Sequence, residues 1–193
     1  MNNIDVLVIG VGGQGSVLAS DIICEVALLE NLDVKKSEIH GMAQRGGSVV
    51  SHVRIGKKIY SPTISYGCAN FIISLERMEF LRYLEYVSDN TVLLLNSQRI
   101  IPTSIINDAA LYPDDKVEQY KRYFNKVYEI DAFKIATEAG NPKGVSVVML
   151  GLFASMLPFS MENWEKAITG KVPKKTIEGN LTAFRRGYET IKR

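Results

Sequence analysis

The sequence predicts an α/β fold: a doubly wound, mostly parallel sheet with helices on both faces and a Rossmann-like start. Three observations carry this. An apolar run, Ile4-Asp5-Val6-Leu7-Val8-Ile9, leads into Gly10-Val11-Gly12-Gly13-Gln14-Gly15 and then into a helical pattern over 16–30, the order strand, tight turn, helix. Short apolar runs at 71–74, 91–95 and 126–130 alternate with stretches of helical spacing, as in sheets whose parallel strands are joined by crossovers. The length, 193 residues with 46% hydrophobic and 23% charged, suits one domain over 1–193 with a sizeable core.

The opening turn needs residues free to take positive φ and to admit a close neighbour, which glycine offers. Gly10, Gly12 and Gly15 fit G-x-G-x-x-G at the right junction, and the unpaired amides of the helix start face outward with the positive dipole end behind them. A diphosphate or another anion suits such a place; a turn that merely closes a strand against a helix suits it too. In the first helix Val17, Leu18, Ile22, Val26 and Leu29 form the core side. A second strand over 34–39 is expected parallel to the first, through a right-handed βαβ unit, with Glu38 where a dinucleotide-binding protein places its ribose carboxylate.

The stretch His40-Gly41-Met42-Ala43-Gln44-Arg45-Gly46-Gly47 has three glycines in eight residues and reads as a loop at the carboxyl end of a strand, where open α/β sheets collect ligands. The next run alternates as a strand, with Val49, Ser51, Val53 and Ile55 on one face and Val50, His52 and Arg54 on the other. Met78, Leu81, Leu84 and Val87 give a helix over 76–87, Val117, Tyr120 and Phe124 another over 115–126, and 133–138 a short one. Asn141-Pro142 is expected to open a helix, Asn capping and Pro at the first position. Residues 145–157 lack a polar side and are too short for a bilayer, which takes about 20 residues. They must be enclosed, so the helices of 142–193 are expected to pack on the domain or on a partner. In the last helix Ile177, Leu181, Phe184, Tyr188 and Ile191 form the stripe, and Gly179 and Gly187 call for something packed very near.

A net charge of +2 and a pI near 8.4 are too mild to indicate nucleic acid. Cys24 and Cys68, at no metal-ligand spacing, read as reduced, buried thiols of a cytoplasmic protein, and no metal site is assigned. The first residues lack a basic segment followed by an apolar one, so neither a signal peptide nor a membrane association is expected.

With the first motif and Ser37-Glu38-Ile39 through Gly46-Gly47 both read, the chain resembles the gamma subunits and domains of 2-oxoacid:ferredoxin oxidoreductases, and within them the beta subunits of the indolepyruvate type. The likeness spans the chain, including 140–144 and 179–184. It implies a complex that oxidatively decarboxylates an aryl 2-oxoacid such as indolepyruvate, passing the acyl group to coenzyme A and two electrons through iron–sulfur centres to ferredoxin. It implies thiamine diphosphate, Mg and 4Fe-4S clusters on a larger alpha subunit, with no cofactor bound by this chain alone. No G-D-G with paired Asn is present, and two cysteines cannot hold a cluster. The resemblance places the 40–47 loop near a shared active site. There Arg45 would pair with a carboxylate or phosphate, and Gln44 and His40 would supply hydrogen bonds, His40 also a proton. Gly12, Gly13, Gln14, Gly15, Gly46 and Gly47 would face coenzyme A or a substrate anion. Equally, His40 and Arg45 would tie the loop to the fold or to the alpha subunit. His52 and Arg54, on a strand face, read as structural or at an interface. Many gamma subunits carry Asn in the helix after the Asn-Pro turn; Val145 and Ser146 stand here, which argues against a catalytic role for that helix.

Two other readings stay open: an NAD(P)-binding oxidoreductase, from the glycines and Glu38, and a non-catalytic ligand-binding module. The isolated chain is expected to be inactive and to self-associate, for example as a homodimer.

Overall fold

A computed structural model describes residues 3–41, 47–102 and 106–191. Six strands form one sheet in the order β2-β3-β1-β4-β5-β6, with β1 Ile4–Val11, β2 Asp33–His40, β3 Ser48–Gly56, β4 Phe71–Ser74, β5 Val92–Asn96 and β6 Lys126–Ile130. The pairs β1·β4, β4·β5 and β5·β6 are parallel, whereas β3 runs antiparallel to both β1 and β2. The mostly parallel, doubly wound sheet is as the sequence predicts.

The second strand differs from expectation. β2 runs in the direction of β1, but β3 lies between them, so strand, helix and strand do not form a directly paired βαβ unit. The physical reason is loop length. Seven residues, 41–47, join β2 to β3, enough for a hairpin and too few for the crossover of a dozen or more that parallel neighbours need.

All eight residues of β1 are buried, and their alternation feeds two cores. Val6 and Val8, with Val53, Ile55, Ile73 and Leu94, meet helices α1 (Ser16–Leu29), α3 (Ala132–Glu138), α4 (Val145–Ala154), α5 (Met161–Lys171) and α6 (Ile177–Glu189). Leu7 and Ile9, with Val50, Ile72, Leu93 and Leu95, meet Phe80, Phe124 and Val117 of helix α2 (Asp114–Lys121).

The span predicted as a helix over 76–87 is a 3₁₀ helix, Glu79–Tyr86, broken at Tyr83 (φ −128°, ψ 25°). Its apolar residues recur every three positions, the period of a 3₁₀ rather than an α-helix. α4 begins at Val145, not at Pro142. Residues 141–144 form a turn closed by Gly144 N–H on the Asn141 carbonyl (2.7 Å), and the Asn141 side chain donates to Asn180 Oδ1 (3.0 Å) instead of capping.

All ten residues of α4 are buried by this chain's own elements. α4 crosses α6 at two glycines. A Cβ on Gly151 would lie 2.1 Å from the Phe184 carbonyl oxygen and 2.7 Å from the Tyr188 nitrogen, and one on Gly187 would lie 2.1 Å from the Val148 carbonyl oxygen. The close approach expected at Gly187 is therefore backbone on backbone. Gly179 is looser, with Asn141 Cβ at 3.2 Å from the same construction. Trp164 stacks on Phe184 and meets Phe153 edge-on beside this crossing.

Cys24 is partly buried, and burial pushes its thiol up to about 11; Cys68 is exposed, contrary to expectation. No helix among the described residues is long and apolar enough to cross a membrane.

Candidate functional site at the glycine turn

The glycine turn is held by its own glutamine. Gln14 Oε1 accepts from Val11 N–H (2.9 Å) and its Nε2 donates to the Leu75 carbonyl (2.9 Å), so one amide fixes the exit of β1 and ties it to the segment leaving β4. Gly13 and Gly15 take φ of 100° and 84°, the left-handed region that a Cβ penalises. Gly15 is also crowded, since a Cβ there would lie 2.7 Å from Ser146 Oγ at the start of α4. Gly10 lies within β1, where a Cβ would meet Gln14 Oε1 at 3.0 Å and Leu75 Cβ at 3.2 Å.

The two glycine motifs meet at one rim of the sheet. Gly12 N–H donates to the Gly47 carbonyl (2.9 Å), and Gly41 N–H to the Ser48 carbonyl (2.8 Å), which closes the base of the β2–β3 hairpin. Between turn and hairpin opens a cavity of about 700 Å³ lined by Gly12, Gly13, Gly15, Ser16 and Val17 on one side and His40, Gly41 and Val49 on the other. α1 starts on its wall with neither a side-chain cap nor an acidic residue in its first turn. The amides of that turn have no acceptor within the helix and sit at the positive dipole end, so the wall favours an anion.

Of the predicted site residues, Gly12, Gly13, Gly15 and His40 line the cavity, and Gly47 joins its rim through the bond to Gly12. Gln14 does not line it: both ends of its side chain are spent on backbone, and the residue shapes the turn from behind. Gln44, Arg45 and Gly46 lie outside the described residues. The His40 side chain is 56% exposed, its Nε2 3.3 Å from Glu38 Oε2. Glu38 also accepts from Lys36, which bonds Asp21 as well; burial alone would lower the Lys36 pKa, but the two carboxylates hold it above its ordinary value.

His52 and Arg54 are both bonded within the fold. His52 is buried, its Nδ1 accepts Ile64 N–H (3.3 Å), and burial lowers its pKa. Arg54 pairs with Asp5 across β1 and β3 and reaches the carbonyls of Ser61 and Thr63. Sequence reasoning missed Ser16, Val17 and Val49 as lining, although Ser16 and Val17 follow directly on the glycine motif. It also missed Glu76, a fully buried carboxylate just past β4. Its Oε2 accepts from Met78 and Glu79 N–H, and its Oε1 from Ile100 N–H and the Tyr112 hydroxyl (2.7 Å). Burial and this bond raise the Tyr112 pKa.

A dinucleotide fingerprint needs the strand carrying its acidic residue beside β1. Here β3 intervenes, and Glu38 is engaged by Lys36 and His40.

Residues 5–190 match the model of the pyruvate ferredoxin/flavodoxin oxidoreductase family. The chain belongs to this family. As a family member it is 39% identical over 189 residues to the indolepyruvate oxidoreductase subunit IorB of Archaeoglobus fulgidus, covering 96% of this chain and 94% of that protein. Among solved structures, the gamma subunit of a keto/oxoacid ferredoxin oxidoreductase from Geobacter sulfurreducens superposes with a TM-score of 0.71 at 23% identity, covering 96% of each chain. A 2-oxoglutarate:ferredoxin oxidoreductase from Magnetococcus marinus, solved with 2-oxoglutarate, coenzyme A and succinyl-CoA bound, superposes with a TM-score of 0.77 at 17% identity, over all of this chain and 31% of that one. These two likenesses show the fold. The family expected from the two glycine motifs is the family found, and its members are oxidoreductase subunits.

Proposed function

We propose that this chain is the beta subunit of an enzyme that converts an aryl 2-oxoacid such as indolepyruvate, with coenzyme A and oxidised ferredoxin, to the acyl-CoA, carbon dioxide and reduced ferredoxin. The observation that carries the substrate class is the 39% identity, over nearly the whole of both chains, to a protein named for indolepyruvate.

Thiamine diphosphate with Mg, and the 4Fe-4S clusters, belong in this reading to a larger alpha subunit. Two cysteines, one partly buried and one exposed, do not make a four-thiolate set, and among the described residues no group of three or more His, Cys, Asp or Glu is placed to hold a metal. Thiamine diphosphate supplies the decarboxylation chemistry when bound in that partner. This chain contributes the rim: the first-turn amides of α1, with Gly12, Gly13 and Gly15, receive an anionic group of coenzyme A or the substrate carboxylate, and His40 borders the same cavity. Gln44, Arg45 and Gly46, outside the described residues, are assigned to the same site on the family resemblance, with Arg45 as a second anion partner.

The test is co-expression with the larger subunit, followed by coenzyme A-dependent viologen reduction with indolepyruvate, phenylpyruvate and pyruvate. The complex is expected to turn over the aryl substrates and the isolated chain none. Micromolar NAD binding by the isolated chain, or its oxidation of a 2-oxoacid unaided, would overturn the reading.

A further inference from the structure

The sheet ends at β2 with an eight-residue edge to which nothing among the described residues is hydrogen-bonded on the outer side. Such an edge is a template for another strand. Its sequence, Asp33-Val34-Lys35-Lys36-Ser37-Glu38-Ile39-His40, restricts what can pair with it. Ile39, 57% exposed, stands on this edge without cover.

We propose that β2 is a self-complementary interface, pairing antiparallel with β2 of a second copy about a two-fold axis through Ser37 to make a continuous twelve-stranded sheet. Register and charge single out this axis. A two-fold axis joining two edges into one sheet stands perpendicular to it, so one residue must face its own copy, because opposed residues share a face. Within β2, the axis positions that overlap five or more residues are Lys35, Lys36, Ser37 and Glu38. Lys35, Lys36 or Glu38 on the axis sets like charges directly opposite each other, which is destabilising.

Ser37 on the axis does the reverse. Lys36 of each copy then faces Glu38 of the other, twice, and Val34 faces His40. Lys35 faces Ile39, whose apolar surface the lysine stem covers. Lys36 and Glu38 already bond each other within the chain, so their side chains stand on one face where a second pair can join them. The lysines that guard an edge against casual pairing thus leave one long register open.

The test uses the full chain and its complex with the larger subunit, with Cys68→Ser to remove the exposed thiol. Sedimentation should show a dimer, and Ser37→Cys should cross-link two copies under mild oxidation, since facing strand residues have Cα atoms about 4.5–5.5 Å apart, within disulfide range. Ser37→Lys, which opposes two lysines on the axis, should weaken the dimer roughly fivefold or more and leave the circular dichroism spectrum unchanged. A chain monomeric at about 100 μM, a dimer that neither cross-links at position 37 nor responds to Ser37→Lys, or β2 amides protected from exchange only when the larger subunit binds would overturn the proposal.

Discussion

Replacing Gly151 by alanine tests the packing that makes the C-terminal helices part of this sheet's core. The added Cβ would lie 2.1 Å from the Phe184 carbonyl oxygen and 2.7 Å from the Tyr188 nitrogen, both backbone atoms of α6. Neither can rotate away, so α4 and α6 must part by about 1 Å, in an interior packed as densely as a crystal. Overpacking of this kind costs about 1–3 kcal/mol or more, against a gain of about 1 kcal/mol from alanine's better helix propensity. With backbone on both sides the upper range applies, leaving a net loss of about 2 kcal/mol. For a chain of this size that lowers Tm by about 4–8 °C. Gly170→Ala in α5, where the new Cβ meets nothing within 4 Å, is the control and should be neutral or stabilising by up to about 1 kcal/mol. Thermal melts followed by circular dichroism decide it. A Gly151→Ala variant that melts at or above the wild type would show that the two helices do not meet backbone on backbone at this crossing.

Gln14→Ala removes the side-chain acceptor of Val11 N–H and leaves the Leu75 carbonyl with the Asn96 side chain, so a loss of about 1–3 kcal/mol in urea unfolding is expected. Glu76→Gln replaces an acceptor-only carboxylate that receives four bonds with a group carrying two donors; it should cost about 1–3 kcal/mol and speed proteolysis of the segment around Ile100 and Tyr112. His52 has its folded pKa below the ordinary value of 6.5 because of burial, so the unfolded chain takes up its proton first as pH falls. The stability it contributes is complete above that value and declines below it, a slope that chemical unfolding at pH 7.5 and 5.5 should show and that His52→Gln should reduce.

Much of the frame was legible because its signals are local. The runs at 71–74 and 126–130 are the strands β4 and β6 to the residue, and the glycine turn stands between strand and helix as its pattern requires. The place of β3 was not read, although the seven-residue connection after His40 contained the answer: it allows only a hairpin. The recurrence of Met78, Leu81, Leu84 and Val87 marks a helix, but its three-residue period is what separates a 3₁₀ from an α-helix, and Asn141 reads as a cap although its amide is committed to Asn180 across the fold. At the site, the meeting of the glycine motifs follows from topology, but the work of Gln14 does not. A side chain bonded to residues three and sixty-one positions away leaves no periodic trace.

The proposed role of this chain requires an anion seated against the first turn of α1. Val17→Asp puts a carboxylate on that wall while the helix dipole favours it there, so the fold should be kept and the bound anion repelled. In the assembled complex the measurement is KM for coenzyme A and for the 2-oxoacid, with Val17→Asn as the uncharged control. One of the two is expected to rise about tenfold or more in the Asp variant, equivalent to about 1.4 kcal/mol, with kcat little changed. Both constants unchanged in a folded, assembled complex would contradict it.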